Sequence, residues 1–144
     1  MKAVVIYSKT GNTRSVAERL VGPSCPLLEV KALVDDPNIQ NPELKEIPDL
    51  STYDHVVLGS PVHGFMLSKV MNAYILKTDF TGKTVDLFVT HFFPFAWMGG
   101  NQTLKQMKKL VEKKGGTVNL LTSINWKNKK RTTDIDSLVE RYTA

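Results

Sequence analysis

The chain reads as an α/β protein: an open, five-stranded parallel sheet with helices on both faces. Three observations predict this. Five short β-rich apolar runs alternate with amphipathic stretches, the pattern of successive βαβ units with right-handed crossovers. The first run, Ala3–Tyr7, is apolar at every position, as a strand buried on both faces must be. The length of 144 residues, 42% of them hydrophobic, suffices for one sizeable core and is too short for two, so a single domain is expected over residues 1–144.

The elements follow in order. After the first strand, Val16, Ala17, Leu20 and Val21 share one face of a helix expected to end near Gly22-Pro23. Leu27–Val30 is a second, weaker strand. From Asp35 to Asp54, prolines at 37, 42 and 48 stand too close together for a full helix, which predicts an irregular crossover with at most one helical turn. His55–Gly59 is the third strand, with Val70, Ala73 and Tyr74 marking the helix after it. Val85–Thr90 is the fourth. Leu104, Met107 and Val111 then form the apolar stripe of a lysine-rich helix that stops at Gly115-Gly116. Val118–Leu121 is the fifth strand, and Ile135, Leu138, Val139 and Tyr142 mark a closing helix.

Composition excludes several classes. No apolar run approaches the ~20 residues that span a bilayer, and the five-residue run at the N-terminus is too short for a signal peptide. Cys25 is the only cysteine, so an internal disulfide and any multi-cysteine metal or iron–sulfur site are ruled out, and a cytoplasmic location is expected. The net charge of +5 is unevenly placed. Residues 1–72 hold seven Lys/Arg against eight Asp/Glu, whereas residues 73–144 hold twelve against six. A basic flank favours acidic partners, although runs such as 127–131 also serve as plain solvated surface.

In open parallel sheets, ligands bind at the carboxyl ends of the strands. The segment after the first strand, Ser8-Lys9-Thr10-Gly11-Asn12-Thr13, offers three hydroxyls, a glycine and the unpaired amides of a helix start. An ordinary helix cap needs one such residue, whereas five of these six are small, hydroxylic or amide types. A nucleoside-triphosphate loop would end in Gly-Lys-Ser/Thr, and a dinucleotide fingerprint would carry three spaced glycines; neither is present. A phosphate monoester bound without Mg²⁺ fits best.

The stretch Val4-Val5-Ile6-Tyr7-Ser8-Lys9-Thr10-Gly11-Asn12-Thr13-Arg14-Ser15-Val16-Ala17-Glu18-Arg19-Leu20 resembles the flavodoxin family, whose apolar strand runs into Ser/Thr-x-x-Gly-x-Thr and then Ala and an aliphatic residue on the helix. Ile6 departs from it, standing where the family usually carries an aromatic. Later landmarks keep the family's order, so the resemblance covers nearly the whole chain. It implies the flavodoxin-like doubly wound fold with strand order 2-1-3-4-5, FMN as cofactor, and Ser8 through Thr13 as the holder of its 5′-phosphate.

By the same resemblance, Ser60-Pro61-Val62-His63-Gly64-Phe65 is the first flavin loop. His63 would stack on the inner ring face, and the Gly64-Phe65 peptide would flip beside N5 on reduction, a movement glycine permits. Thr90-His91-Phe92-Phe93 through Trp97 and Gly99 is the second loop, with Trp97 on the outer face and Phe93 or Phe95 as substitutes. His91 either donates to the flavin or is solvated. His55 is expected to be structural, and Cys25 to be packing. The implied function is an FMN electron carrier without its own acid–base residues; the alternative is an NAD(P)H- or quinone-linked FMN oxidoreductase of the same fold. Redox proteins, acidic ones included, are the expected partners. No nucleic acid or membrane insertion is expected, and the chain should be a monomer or weak dimer.

Overall fold

The computed structural model describes residues 1–9, 11–34, 36, 38–63, 66–92 and 100–143. The elements are β1 (Lys2–Ile6), α1 (Asn12–Glu18), β2 (Leu27–Glu29), β3 (Lys31–Ala32), β4 (Leu44–Glu46), β5 (His55–His63), β6 (Met66–Leu67), α2 (Lys69–Leu76), β7 (Thr84–His91), α3 (Gly100–Lys113), β8 (Thr117–Asn125) and α4 (Arg131–Tyr142). The main sheet runs β2-β1-β5-β7-β8 with every neighbouring pair parallel, which is the expected order 2-1-3-4-5. No helix among the described residues is long and apolar enough to cross a membrane.

Strand alternation divides the core into two layers. Val5, Tyr7, Leu58, Leu87 and Val89 face one side, where they meet Met71 and Tyr74 of α2 and Met107 and Val111 of α3. Val4, Ile6, Val57, Phe88 and Ile124 face the other and meet Val16 and Ala17 of α1 and Leu138 and Tyr142 of α4. A parallel sheet covered on both faces needs apolar side chains in both directions, which is why β1 reads as a continuous apolar run.

Three local features differ from the sequence expectation. Among the described residues the crossover holds two turns, closed by Ile39 N–H on the Asp36 carbonyl at 3.1 Å and by Tyr53 N–H on the Leu50 carbonyl at 3.0 Å, and it adds an antiparallel ribbon of β3 and β4 that periodicity did not signal. Its strands are two and three residues long, too short to show a period. Helix α1 stops at Glu18, and the amides of Arg19 and Leu20 tighten onto Val16 and Ala17 at 3.1 and 2.9 Å. Strand β5 runs on past Gly59 to His63 and pairs with β6, so Ser60, Pro61, Val62 and His63 are strand residues rather than a turn. Pro61 is tolerated because the β1 ladder ends at Ile6↔Gly59, and past that point β5 has a free side.

At the amino edge of the sheet, His55 Nε2 lies 2.7 Å from Asp86 Oδ2, and Asp86 Oδ1 accepts the Leu120 N–H at 3.0 Å. Asp86 is buried, and it anchors the irregularity where the β7–β8 register shifts between Val85 and Leu87. His55 is therefore structural, at the end remote from the strand termini that carry the candidate site.

Gly59 is required by packing. A Cβ built there would lie 2.2 Å from Cζ of the buried Phe88 ring on the neighbouring strand. Gly59→Ala should therefore cost about 1–3 kcal/mol through overpacking. Urea unfolding checks this; a loss below about 0.5 kcal/mol would show that the ring yields freely.

Candidate functional site at the carboxyl edge of the sheet

The carboxyl ends of β1, β5 and β7 lie side by side and bring the first-loop, His63 and Thr90 segments to one edge. Just past β1, the half-buried Ser8 turns its hydroxyl back under the loop. Its Oγ accepts the Gly11 N–H at 3.2 Å and the Arg14 N–H at 3.3 Å. Gly11 sits in the left-handed region at φ 93°, and a Cβ built on it would meet nothing within 4 Å. Among the described residues the space above Gly11 is thus open, and the φ value disfavours any other residue. No acidic residue occupies the first turn of α1, so its amino end keeps its positive polarity. Arg14 is tied sideways to Glu29, which Lys31 also approaches at 3.9 Å.

Thr13 is buried and faces inward. Its Oγ1 lies 3.0 Å from Thr90 Oγ1, also buried, so α1 is bolted to β7 across the intervening β5. Neither hydroxyl projects over the loop. Ser60 is likewise fully buried: its hydroxyl donates to the Pro61 carbonyl at 3.0 Å and meets Ser68 Oγ at 2.9 Å. Ser68 in turn caps α2 by accepting the Met71 N–H at 3.2 Å. Three hydroxyls picked from the sequence as ligand groups, those of Thr13, Thr90 and Ser60, therefore bond within the frame.

His63 is half-buried and packs edge-on to Tyr7, with centroids 6.0 Å apart and planes at 80°. His91 is buried rather than solvated, and its carbonyl accepts the Trp126 N–H at 2.7 Å. Phe92 is 47% exposed, with Lys127 Nζ 5.9 Å from its ring centroid. Lys9 is exposed. Thr10, Gly64, Phe65, Phe93, Phe95, Trp97 and Gly99 lie outside the described residues. Cys25 is half-buried, and desolvation raises its thiol pKa, in keeping with a packing role.

Sequence reasoning missed several neighbours of the site. Tyr7 was placed on a strand but not beside His63. Gly100, the first residue of α3, comes so close to β7 and β8 that a Cβ there would lie 2.2 Å from Ser123 Oγ and 3.1 Å from the His91 ring. Among the described residues, the buried Ser123 Oγ and Thr103 Oγ1 have no hydrogen-bond partner. Trp126 carries the Arg131 guanidinium 4.7 Å from its centroid and accepts from it at 2.8 Å through its carbonyl. Only the packing shows why Gly100 must be small.

An open parallel sheet with an amide-lined loop after its first strand, and two further segments beside it, defines a ligand-binding protein of the doubly wound α/β class. The family model described as Flavodoxin domain matches residues 3–130, and the chain belongs to that family. No curated protein matches it. Among solved structures, a flavoprotein in complex with FMN from Lactobacillus acidophilus is 18% identical, with a TM-score of 0.72 over 99% of this chain and 98% of that one. A WrbA-like flavodoxin from Agrobacterium tumefaciens is 16% identical, with a TM-score of 0.73 over 99% and 92%. The two-electron reduced flavodoxin of Megasphaera elsdenii is 21% identical, with a TM-score of 0.65 over 98% and 99%. At these identities the likeness establishes the flavodoxin-like fold.

The Thr13–Thr90 bond gives a direct test of how the loop is held. Thr13→Val and Thr90→Val should each cost about 1–3 kcal/mol, because each leaves one buried hydroxyl unpaired. The double variant should cost less than the sum by about 1 kcal/mol, read from urea unfolding as a double-mutant cycle. Strict additivity would remove the bond from this account.

Proposed function

We propose that this protein binds FMN non-covalently and works as an electron carrier between redox proteins. Family membership supports the cofactor, as does the FMN held by the Lactobacillus acidophilus neighbour. The observation that carries the reading is the Ser8–Gly11 arrangement. A hydroxyl beneath the loop pins two amides, and an open left-handed glycine leaves room for an anion to rest against the backbone. The loop of Ser8 to Thr13 would hold the 5′-phosphate, chiefly through backbone N–H groups, with Thr13 positioning the loop through Thr90. His63 and Trp97 are the side chains assigned to the two faces of the ring, and Gly64 to the peptide beside N5. When bound, FMN supplies the one- or two-electron chemistry, while the protein sets its surroundings.

The partner is proposed to be an acidic redox protein. Its docking face is the carboxyl edge where Phe92 stands beside Lys127, with Lys129 and Lys130 exposed next to it. A desolvated aromatic inside a basic rim suits an acidic surface, and the rim charges would act mainly on the rate of encounter.

Two measurements test these readings. Titration of FMN-free protein with FMN and with riboflavin, followed by flavin fluorescence, should show tighter binding of FMN. Ser8→Ala should weaken FMN about tenfold or more while changing riboflavin less than about twofold, since hydrogen bonds around a charge are worth roughly 1.5–3 kcal/mol. Equal losses would detach the loop from the phosphate. Reversal of Lys127, Lys129 and Lys130 to Glu should slow electron exchange with an acidic ferredoxin by about tenfold at low salt, with the gap closing as ionic strength rises. A rate indifferent to these reversals would leave the run as solubilising surface.

A further inference from the structure

Strand β8 forms one margin of the main sheet: its nine residues pair with β7 on one side, and among the described residues no strand lies on the other. The whole run, TVNLLTSIN, holds no charged residue and no proline. Natural edge strands are kept short or guarded by charges and prolines, because their outer amides and carbonyls are otherwise a template for another strand. The opposite margin carries such guards. There β2 is three residues long, and its Glu29 is bonded by Arg14 and approached by Lys31. We infer that the free edge of β8 is a docking site for an extended, acidic segment of a partner protein, which pairs with it as an added strand and sets its acidic end against the 127–130 run.

The ladder with β7 shows which backbone groups face away from it. The Trp126 N–H points inward and donates to the His91 carbonyl at 2.7 Å. Alternate residues of a paired strand turn to the same neighbour, so Ile124 and Thr122 also face β7, while Ser123 and Leu121 direct their N–H and C=O groups outward. The register shift between Val85 and Leu87 lies before this stretch, and from Leu87↔Leu121 to His91↔Asn125 the pairing is regular. Leu121 is 39% exposed on this edge. A β-branched residue on an added strand would cover it, the ordinary cross-strand contact.

Charge selects the occupant. Residues 73–144 hold twelve Lys/Arg against six Asp/Glu. Lys127, Lys129 and Lys130 are exposed just past the end of β8, and α3, which packs on β8, exposes Lys105, Lys109 and Lys113. A second copy of the chain fits this edge poorly. Antiparallel pairing centred on Leu121 would set the 127–130 run of each copy against Lys113 and Lys114 of the other, and like charges placed opposite are destabilising. An acidic segment meets the same lysines favourably, while its main-chain bonds to Leu121 and Ser123 supply affinity that depends little on side chains. The inference rests on the acidic-partner reading above and adds to it the form of the contact.

Titration of ¹⁵N-labelled protein, with FMN present, decides the matter. The probes are the synthetic peptide acetyl-EEEVTVTVT-amide and its counterpart with Lys in place of each Glu. Amide hydrogen exchange at Leu121 and Ser123 should slow saturably with the acidic peptide and stay unchanged with the basic one. Leu121→Pro removes an outward N–H while sparing the β7 ladder, and should weaken the acidic peptide about tenfold, the upper worth of one hydrogen bond. Should that variant not fold, Leu121→Glu supplies the missing edge charge and should weaken binding likewise. If reversing Lys127, Lys129 and Lys130 slows electron exchange yet the acidic peptide leaves β8 unprotected, the acidic partner stands and strand addition falls. Protection confined to other strands, affinity unmoved by the Leu121 variants, or no binding at millimolar concentration would also overturn the inference. So would protection that appears without peptide and grows with protein concentration, which would assign the edge to a second copy.

Discussion

The close lap of α1 over β5 is the constraint on which the carboxyl edge depends. Beneath it, Gly59 has no side chain, so the Phe88 ring, which shares a buried cluster with Val16 and Ala17 of α1, can occupy the space beside the strand. With that layer thin, α1 lies against β5 and also reaches β7, and Thr13 meets Thr90 two strands from its own. The first loop is thereby fixed relative to β7, not merely to the strand it follows. A bulkier residue at 59 would act on the loop through this stack, without touching any ligand.

Hydroxyl groups at this edge serve the frame more than the ligand. Ser8 pins the loop amides, Thr13 and Thr90 hold each other, and Ser60 works with Ser68 to cap α2. Each is a short side chain next to a turn or helix start, where backbone groups would otherwise stay unpaired. Ser123 and Thr103 are the exceptions, two buried hydroxyls at the start of α3 without partners among the described residues.

The two edges of the sheet differ in electrostatic character. The amino edge closes on His55 hydrogen-bonded to the buried Asp86, which also fixes the β7–β8 register. The carboxyl edge gathers positive groups around Phe92 and Trp126, each with a cation against its ring. Aromatic faces attract cations in this way, so the rings orient part of the basic run instead of leaving it wholly mobile in solvent. The basic flank read from the sequence is thus gathered in part at the carboxyl edge.

The alternation of apolar runs with amphipathic stretches sufficed for the sheet, its helices and, through the Ser8–Thr13 motif, the family. Those signals are local: strand burial and helix stripes repeat within ten residues, and a loop motif is contiguous. The sequence alone also located the three segments that meet at one edge. It did not distinguish which of their side chains face outward. Thr13 and Ser60 look like ligand groups in sequence, yet their partners, Thr90 and Ser68, stand 77 and 8 residues away. The β3–β4 ribbon and the extension of β5 to His63 were likewise hidden, because their pairing depends on which strand lies alongside. A cavity lined by Asn38, His63, Asn72 and Gln106 gathers residues that share no motif. Spacing along a chain reports periodic burial, whereas the direction in which a single hydroxyl or amide points is set by neighbours that only folding brings near.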